Sequence, residues 1–144
     1  MEDRYLFKAK RLDNGKWITG NLIQNPFFKG VRSWISSEQE DKTRLRSISR
    51  TQALWNSIEV DSTTICQCTG LKDKNGKLIW ENDIVKGHRI NFGSHRHIGK
   101  VKYINGRYEI IGVKQYAGFS DALSLSYEVL GNIFDNPELL ESEE

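Results

Sequence analysis

Hydrophobic and polar positions alternate in short runs along this chain, and turn residues punctuate the runs. Tyr5, Phe7 and Ala9 alternate with Leu6, Lys8 and Lys10, and Trp17, Ile18, Leu22 and Ile23 follow the first turn. Period-two alternation predicts strands. Asn25-Pro26 ends this segment, because the residue before proline leaves the helical region and proline cannot donate a ladder bond. Val31 to Ile35 reads as a further strand. Ile58 to Val60 and Thr63 to Thr69 are predicted to be extended by their β-branched residues, and Gly70 allows a bend. Leu78 to Trp80 and Ile84 to Lys86 follow as strands, residues 87–99 read as a loop, and Leu123, Leu125, Tyr127 and Val129 predict a last half-buried strand.

Three turns share one chemistry: Asn14-Gly15-Lys16, Asn75-Gly76-Lys77 and Asn105-Gly106-Arg107. Asn-Gly supplies the two positive φ angles of a type I′ turn, so each pair predicts a β-hairpin. Leu12 to Ile18 and Asp73 to Ile79 align without gaps, which fits either a duplication or convergence on good hairpin chemistry. Two segments depart from the strand pattern. Residues 36–53 form a polar excursion, with a helical spacing of Leu45, Ile48, Leu54 and Trp55. Asn136-Pro137-Glu138-Leu139-Leu140 has the N-cap, early proline and early acid of a short C-terminal helix.

The predicted fold is therefore mostly β: hairpin-built, small SH3-like barrel-type lobes, with a short helical segment in the middle near residues 44–56 and a short C-terminal helix. Residues 1–144 are read as a single domain, either undivided or made of two β lobes of about 1–60 and 61–144.

Composition narrows the class. With 38% hydrophobic and 10% aromatic residues, the chain is rich enough to fold without a disulfide or metal staple. No apolar run approaches the roughly 20 residues that cross a bilayer, so no membrane partner is expected. Met1 to Tyr5 lacks a basic region followed by an apolar stretch, so no export signal is expected and Cys66 and Cys68 are read as cytoplasmic thiols. The net charge of +2 hides a polarity. Residues 1–114 carry 21 Lys/Arg against 12 Asp/Glu, a net of +9, whereas residues 115–144 carry seven acids and no Lys or Arg. Such polarity suits an acidic partner, self-association through complementary faces, or a tail folded over the basic region.

Three stretches carry a resemblance. They are Phe7-Lys8-Ala9-Lys10 with Gly15-Lys16-Trp17, Thr69-Gly70-Leu71-Lys72-Asp73-Lys74-Asn75-Gly76-Lys77 running on to Asp83-Ile84-Val85, and Val129-Leu130-Gly131-Asn132-Ile133-Phe134 with Asn136-Pro137-Glu138-Leu139-Leu140. In that order they resemble the YopX-like family of phage and prophage proteins, over nearly the whole chain. The resemblance implies a predominantly β protein with small barrel-like lobes, forming oligomers in a host bacterial cytoplasm. It carries over no catalytic or ligand residue. One departure is Cys68, where the family tends to have an aromatic residue.

Candidate chemistry is sparse. Asp83-Ile84-Val85-Lys86, a loop, and Gly99-Lys100-Val101-Lys102-Tyr103 have the rhythm of the first strands of an SH3-like barrel. On such a surface Lys86, Arg89, Lys100, Lys102 and Arg107 would meet phosphates, and Tyr103 or Tyr108 would stack on bases. Alternation, however, puts Lys100 and Lys102 on one strand face and Val101 and Tyr103 on the other. Cys66-x-Cys68 and His95-x-His97 each align two metal-type side chains, but zinc knuckles more often use Cys-x-x-Cys, so neither metal nor any other cofactor is expected. Asp73, Glu81 and Asp83 are clustered acids, and turn chemistry accounts for Asp73 and Asp83. Gly118-Phe119-Ser120-Asp121 lacks the second glycine of a nucleophile elbow, and no phosphate loop or dinucleotide fingerprint is present. Trp17 and Trp80 are read as packing over their hairpins, and Trp34 and Trp55 as anchors of a partner interface.

The reading that results is a non-enzymatic phage accessory protein that acts by binding and self-association as a homo-oligomer. The alternative is nucleic-acid binding through the basic surface of residues 86–114.

Overall fold

Ala9 and Ile18 face each other across the first hairpin, and the alternation that predicted the strands decides which side is buried. A computed structural model describes residues 5–25, 32–37, 57–89, 96–118, 120–124 and 126–140, apart from the side chains of residues 88, 89, 96 and 115. Every strand pair in them is antiparallel. The chain divides into two units, Tyr5–Gln67 and Cys68–Glu144.

In the first unit, β1 (Phe7–Lys10), β2 (Trp17–Asn25), β3 (Arg32–Ser36) and β4 (Ile58–Val60) form a meander, and the start of β5 (Cys66–Lys72) pairs with β1. β2 gives Trp17 to Gly20 to β1 and Asn21 to Asn25 to β3. Gly20 stands at this change of partner, where a Cβ would lie 2.1 Å from the Ser36 carbonyl oxygen. Ala9, Ile35 and Val60 form the core, with Ile18, Leu22 and Ile65 packed against them. Fully burying an aliphatic side chain of the size of Ile or Val is worth about 1.5–3 kcal/mol. β4 meets the end of β1 through the bridge Arg11↔Val60, with Leu12 N–H donating to the Glu59 carbonyl at 3.2 Å and Asp61 N–H to the Lys10 carbonyl at 2.8 Å. This is a bridge rather than a ladder, and no closed barrel is present among the described residues.

Thr63 and Thr64, predicted to be extended, instead form a 3-10 turn, Ser62–Thr64. The Asp61 carboxylate accepts from the Thr63 N–H at 3.0 Å and from its hydroxyl at 2.7 Å, and this capping outweighs the β-preference of threonine.

The second unit contains the rest of β5, β6 (Leu78–Trp80), β7 (Asp83–Arg89), β8 (Arg96–Ile104), β9 (Arg107–Gly112), β10 (Ser120–Ala122) and β11 (Glu128–Asn132). The five strands β10-β9-β8-β7-β11 form one open sheet with β10 and β11 at its edges, so the expected SH3-like barrel is not formed here either. Ile79, Val85, Val101, Ile110 and Tyr127 make the core, flanked by Tyr108, Leu123 and Val129. β7 and β8 extend well into the segment predicted as a loop. The last predicted strand is split: Tyr127 N–H turns back to the Ser124 carbonyl, and β10 and β11 lie to either side.

Of the three Asn-Gly turns only one is type I′. Asn105 (φ 52) and Gly106 (φ 86) join β8 to β9 as a two-residue turn closed by Ile104↔Arg107. In the other two the glycine alone has positive φ. Gly76 N–H donates to the Asp73 carbonyl, Asp73 N–H to the Lys77 carbonyl, and Asp73 Oδ1 accepts from the N–H groups of Asn75 and Lys77. That side chain builds a longer turn than Asn-Gly alone requires. Among the described residues there is no α-helix: the C-terminal segment makes a 3-10 turn, Pro137–Leu140. Asn136 Oδ1 accepts from the Asn132 N–H rather than capping a helix. The expected helical segment near 44–56 lies outside the described residues.

Candidate binding face

Residues opposite one another in an antiparallel ladder share a face. The register therefore assembles one face of the five-stranded sheet row by row. Glu128 stands opposite Lys86, which stands opposite Ile98. Ile84, Lys100 and Ile111 make the next row, Lys102 and Glu109 the third, and Ile104 and Arg107 the fourth. The structure thus places Lys86, Lys100, Lys102 and Arg107, four of the five basic residues singled out in the sequence, on one face. It also interleaves them with acids and isoleucines that the sequence reading did not place. Ile98, Ile104 and Ile111 are half-buried and Ile84 is fully buried. Arg89 ends β7 opposite Arg96.

Two of the four cations are engaged. Lys102 Nζ donates to Asn82 Oδ1 at 2.5 Å, and Arg107 pairs with Glu109 at 2.7 Å. Asn82, held at φ 71, also accepts from the Ile133 N–H, so it ties Lys102 to the C-terminal segment. Glu128 reaches Lys74 at 3.3 Å. Ion pairs this exposed stabilise by about 0–1 kcal/mol, so they set pattern more than stability.

The tyrosines lie on the opposite face. Tyr103 stands across from Tyr108, their rings edge-to-face at 5.0 Å between centroids. Burial, with Glu81 and Cys68 nearby, pushes the Tyr108 phenol up to about 12. No aromatic side chain stands in the ladder rows that hold the lysines.

The remaining candidates are dispersed. Trp34 is half-buried, with the Arg32 guanidinium 5.2 Å over its ring and that guanidinium forked on Glu59 at 2.8 and 2.9 Å. Trp55 lies outside the described residues. Trp17 carries the Lys8 and Lys10 ammonium groups over its ring at 4.7 and 5.4 Å. Asp73 and Asp83 are structural acceptors: Asp83 Oδ2 takes the Trp80 N–H, and Asp73 Oδ2 takes the Val129 N–H. Cys66 and Cys68 are buried free thiols, and Cys66 donates to the Thr64 carbonyl. No group of three or more His, Cys, Asp or Glu suited to a metal gathers among the described residues. His95 lies outside them.

Sequence reasoning missed a buried network, having placed His97 in a polar loop. His97 is buried on β8, and its Nδ1 lies 3.2 Å from the Tyr127 hydroxyl, which donates to Asp121 Oδ2 at 2.8 Å. A phenol has one proton, and a carboxylate only accepts. Tyr127 therefore gives its proton to Asp121 and accepts from His97 Nδ1–H, while His97 Nε2 is buried with no hydrogen-bond partner among the described residues. Tyr116 packs edge-on against the imidazole at 5.8 Å. Burial and the Asp121 charge raise the Tyr127 phenol well above its ordinary value. The alternation His97, Gly99, Val101 was the one available signal, since it puts His97 on the core face.

Among the described residues no helix is long and apolar enough to cross a membrane. No curated protein matches the chain. A crystal structure of protein EF1440 from Enterococcus faecalis matches at 25% identity, covering 94% of this chain and 96% of that one, with a TM-score of 0.48. The family described as YopX protein matches residues 6–141, and the chain belongs to the YopX family.

Proposed function

We propose that this protein acts by binding rather than by chemistry, and that it self-associates through the lysine–isoleucine face of the five-stranded sheet. One observation carries the reading: the ladder rows alternate Lys86, Lys100 and Lys102 with Glu109 and Glu128 around Ile98 and Ile111. A face holding both signs of charge around apolar positions complements a second copy of itself. An apolar centre with a polar rim is the usual anatomy of such an interface. The likeness to phage and prophage proteins supports an accessory role in a bacterial cytoplasm.

Sedimentation velocity on wild type and on Ile111→Lys tests this. The substitution introduces a cation at the centre of the face and is expected to shift the protein toward monomer with its far-ultraviolet spectrum intact. An unchanged oligomer would refute the assignment of the face.

A second reading is nucleic-acid binding, favoured by the three lysines on one face. The aromatic pair on the other face leaves phosphate contacts alone for this surface, so affinity would fall steeply with salt and show little base preference.

A further inference from the structure

Among the described residues, two of the three Asn-Gly pairs are held by hydrogen bonds and one is not. Gly15 N–H donates to the Arg11 carbonyl at 2.9 Å, and Asn14 Oδ1 accepts from the Lys16 N–H at 2.9 Å. Gly76 N–H donates to the Asp73 carbonyl at 3.0 Å, Asn75 N–H to Asp73 Oδ1 at 2.8 Å, and the Asn75 carboxamide to Glu128 at 3.5 Å. At the tip of the β8–β9 hairpin, neither the Gly106 N–H nor the Asn105 carboxamide has a hydrogen-bond partner among the described residues. Both residues are exposed to water.

This contrast matters because asparagine followed by glycine is chemically labile. The glycine nitrogen attacks the preceding carboxamide only once its proton is lost, and a bond from that N–H to a carbonyl holds both proton and nitrogen in place. We infer that Asn105 is the site at which the folded protein undergoes spontaneous deamidation. The Gly106 nitrogen loses its proton to solvent base and forms a bond to Asn105 Cγ. The Cγ–Nδ2 bond breaks, and ammonia leaves with a proton from water. A second water opens the resulting succinimide at either carbonyl, giving aspartate or isoaspartate; the net change is one water consumed and one ammonia released.

Either product places a carboxylate two residues from Arg107, at the end of the lysine–isoleucine face. Isoaspartate also inserts a methylene into the main chain. A two-residue turn closed by Ile104↔Arg107 has no slack for it, so the hairpin tip must rearrange.

The test is to incubate the folded protein in mildly alkaline buffer and follow its tryptic peptides by mass spectrometry, beside a sample held in denaturant. The peptide Tyr103–Arg107 is expected to convert several-fold faster than those carrying Asn14 or Asn75 in the folded sample, with the three rates converging in denaturant. Equal rates in the folded sample, or faster conversion at Asn14 or Asn75, would overturn the assignment. So would a difference that persists in denaturant, since it would then belong to the local sequence. Asn105→Gly suits a type I′ turn and is expected to remove most of the acidic charge variant that accumulates on isoelectric focusing. Undiminished accumulation in that variant would also overturn it.

Discussion

The ring of Tyr127 occupies the space that a side chain on Gly87 would need: a Cβ built there would lie 2.3 Å from Cε1 and 2.4 Å from Cδ1. Gly87 sits in β7, and the Tyr127 hydroxyl reaches Asp121 on β10 and His97 on β8. One missing methyl group thus seats the ring that links three strands of the sheet. Gly87→Ala should force the ring out of place and destabilise the protein by about 1–3 kcal/mol, the usual cost of overpacking a core. A lower urea midpoint at unchanged slope is the expected result.

Tyr127→Phe retains the ring and removes its hydroxyl. The His97 Nδ1–H then has no acceptor in a buried site, and Asp121 loses a donor. Leaving a buried donor unpaired costs about 1–3 kcal/mol, so this variant should be destabilised by a similar amount to Gly87→Ala. Because both act on the same ring, their double variant should lose less than the sum of the two.

Asp73 binds the unit together by accepting from the N–H groups of Asn75, Lys77 and Val129. Burial pushes its carboxyl up, but the three N–H donors and the nearby Lys77 charge outweigh burial and hold it below the ordinary carboxylate value of 3.8. A carboxyl lowered by folding contributes stability above its unfolded value, and that stability is lost as pH falls through the folded value. The advantage of wild type over Asp73→Asn in urea denaturation should therefore be full near neutrality and shrink below about pH 4. An advantage constant down to strongly acidic pH would contradict the carboxylate's role.

Tyr108 should ionise late. Its phenol is raised to about 12, chiefly by burial, against an ordinary value of 10.0. In alkaline absorbance titration, Tyr108→Phe should remove part of the late amplitude only. Since folding favours the neutral phenol, its contribution to stability is present below the unfolded value and is lost as pH rises through about 10 to 12.

Strand positions and the sides they bury were legible because alternation is local: it put Lys100 and Lys102 opposite Val101 and Tyr103, as found. Turn geometry was only partly legible. Asn-Gly promised type I′ three times, but at Asn75 the Asp73 carboxylate captures two backbone N–H groups and builds a longer turn. Rows across the sheet were not legible at all. That Glu128 faces Lys86 and Glu109 faces Lys102 follows from pairing between distant segments, which periodicity within one strand does not encode. His97 was misread for a related reason: the polar neighbours Ser94 and Arg96 masked an alternation that continues into β8.

Light scattering on size-exclusion eluate, at low and moderate salt and with and without a mixed oligonucleotide, tests the proposed self-association most directly. The expected result is an oligomer that persists in moderate salt, because its centre is apolar, and whose mass does not change with oligonucleotide. A monomer at every salt concentration would contradict it. So would a protein that gains mass only with oligonucleotide at low salt, which would assign the lysine face to nucleic acid instead.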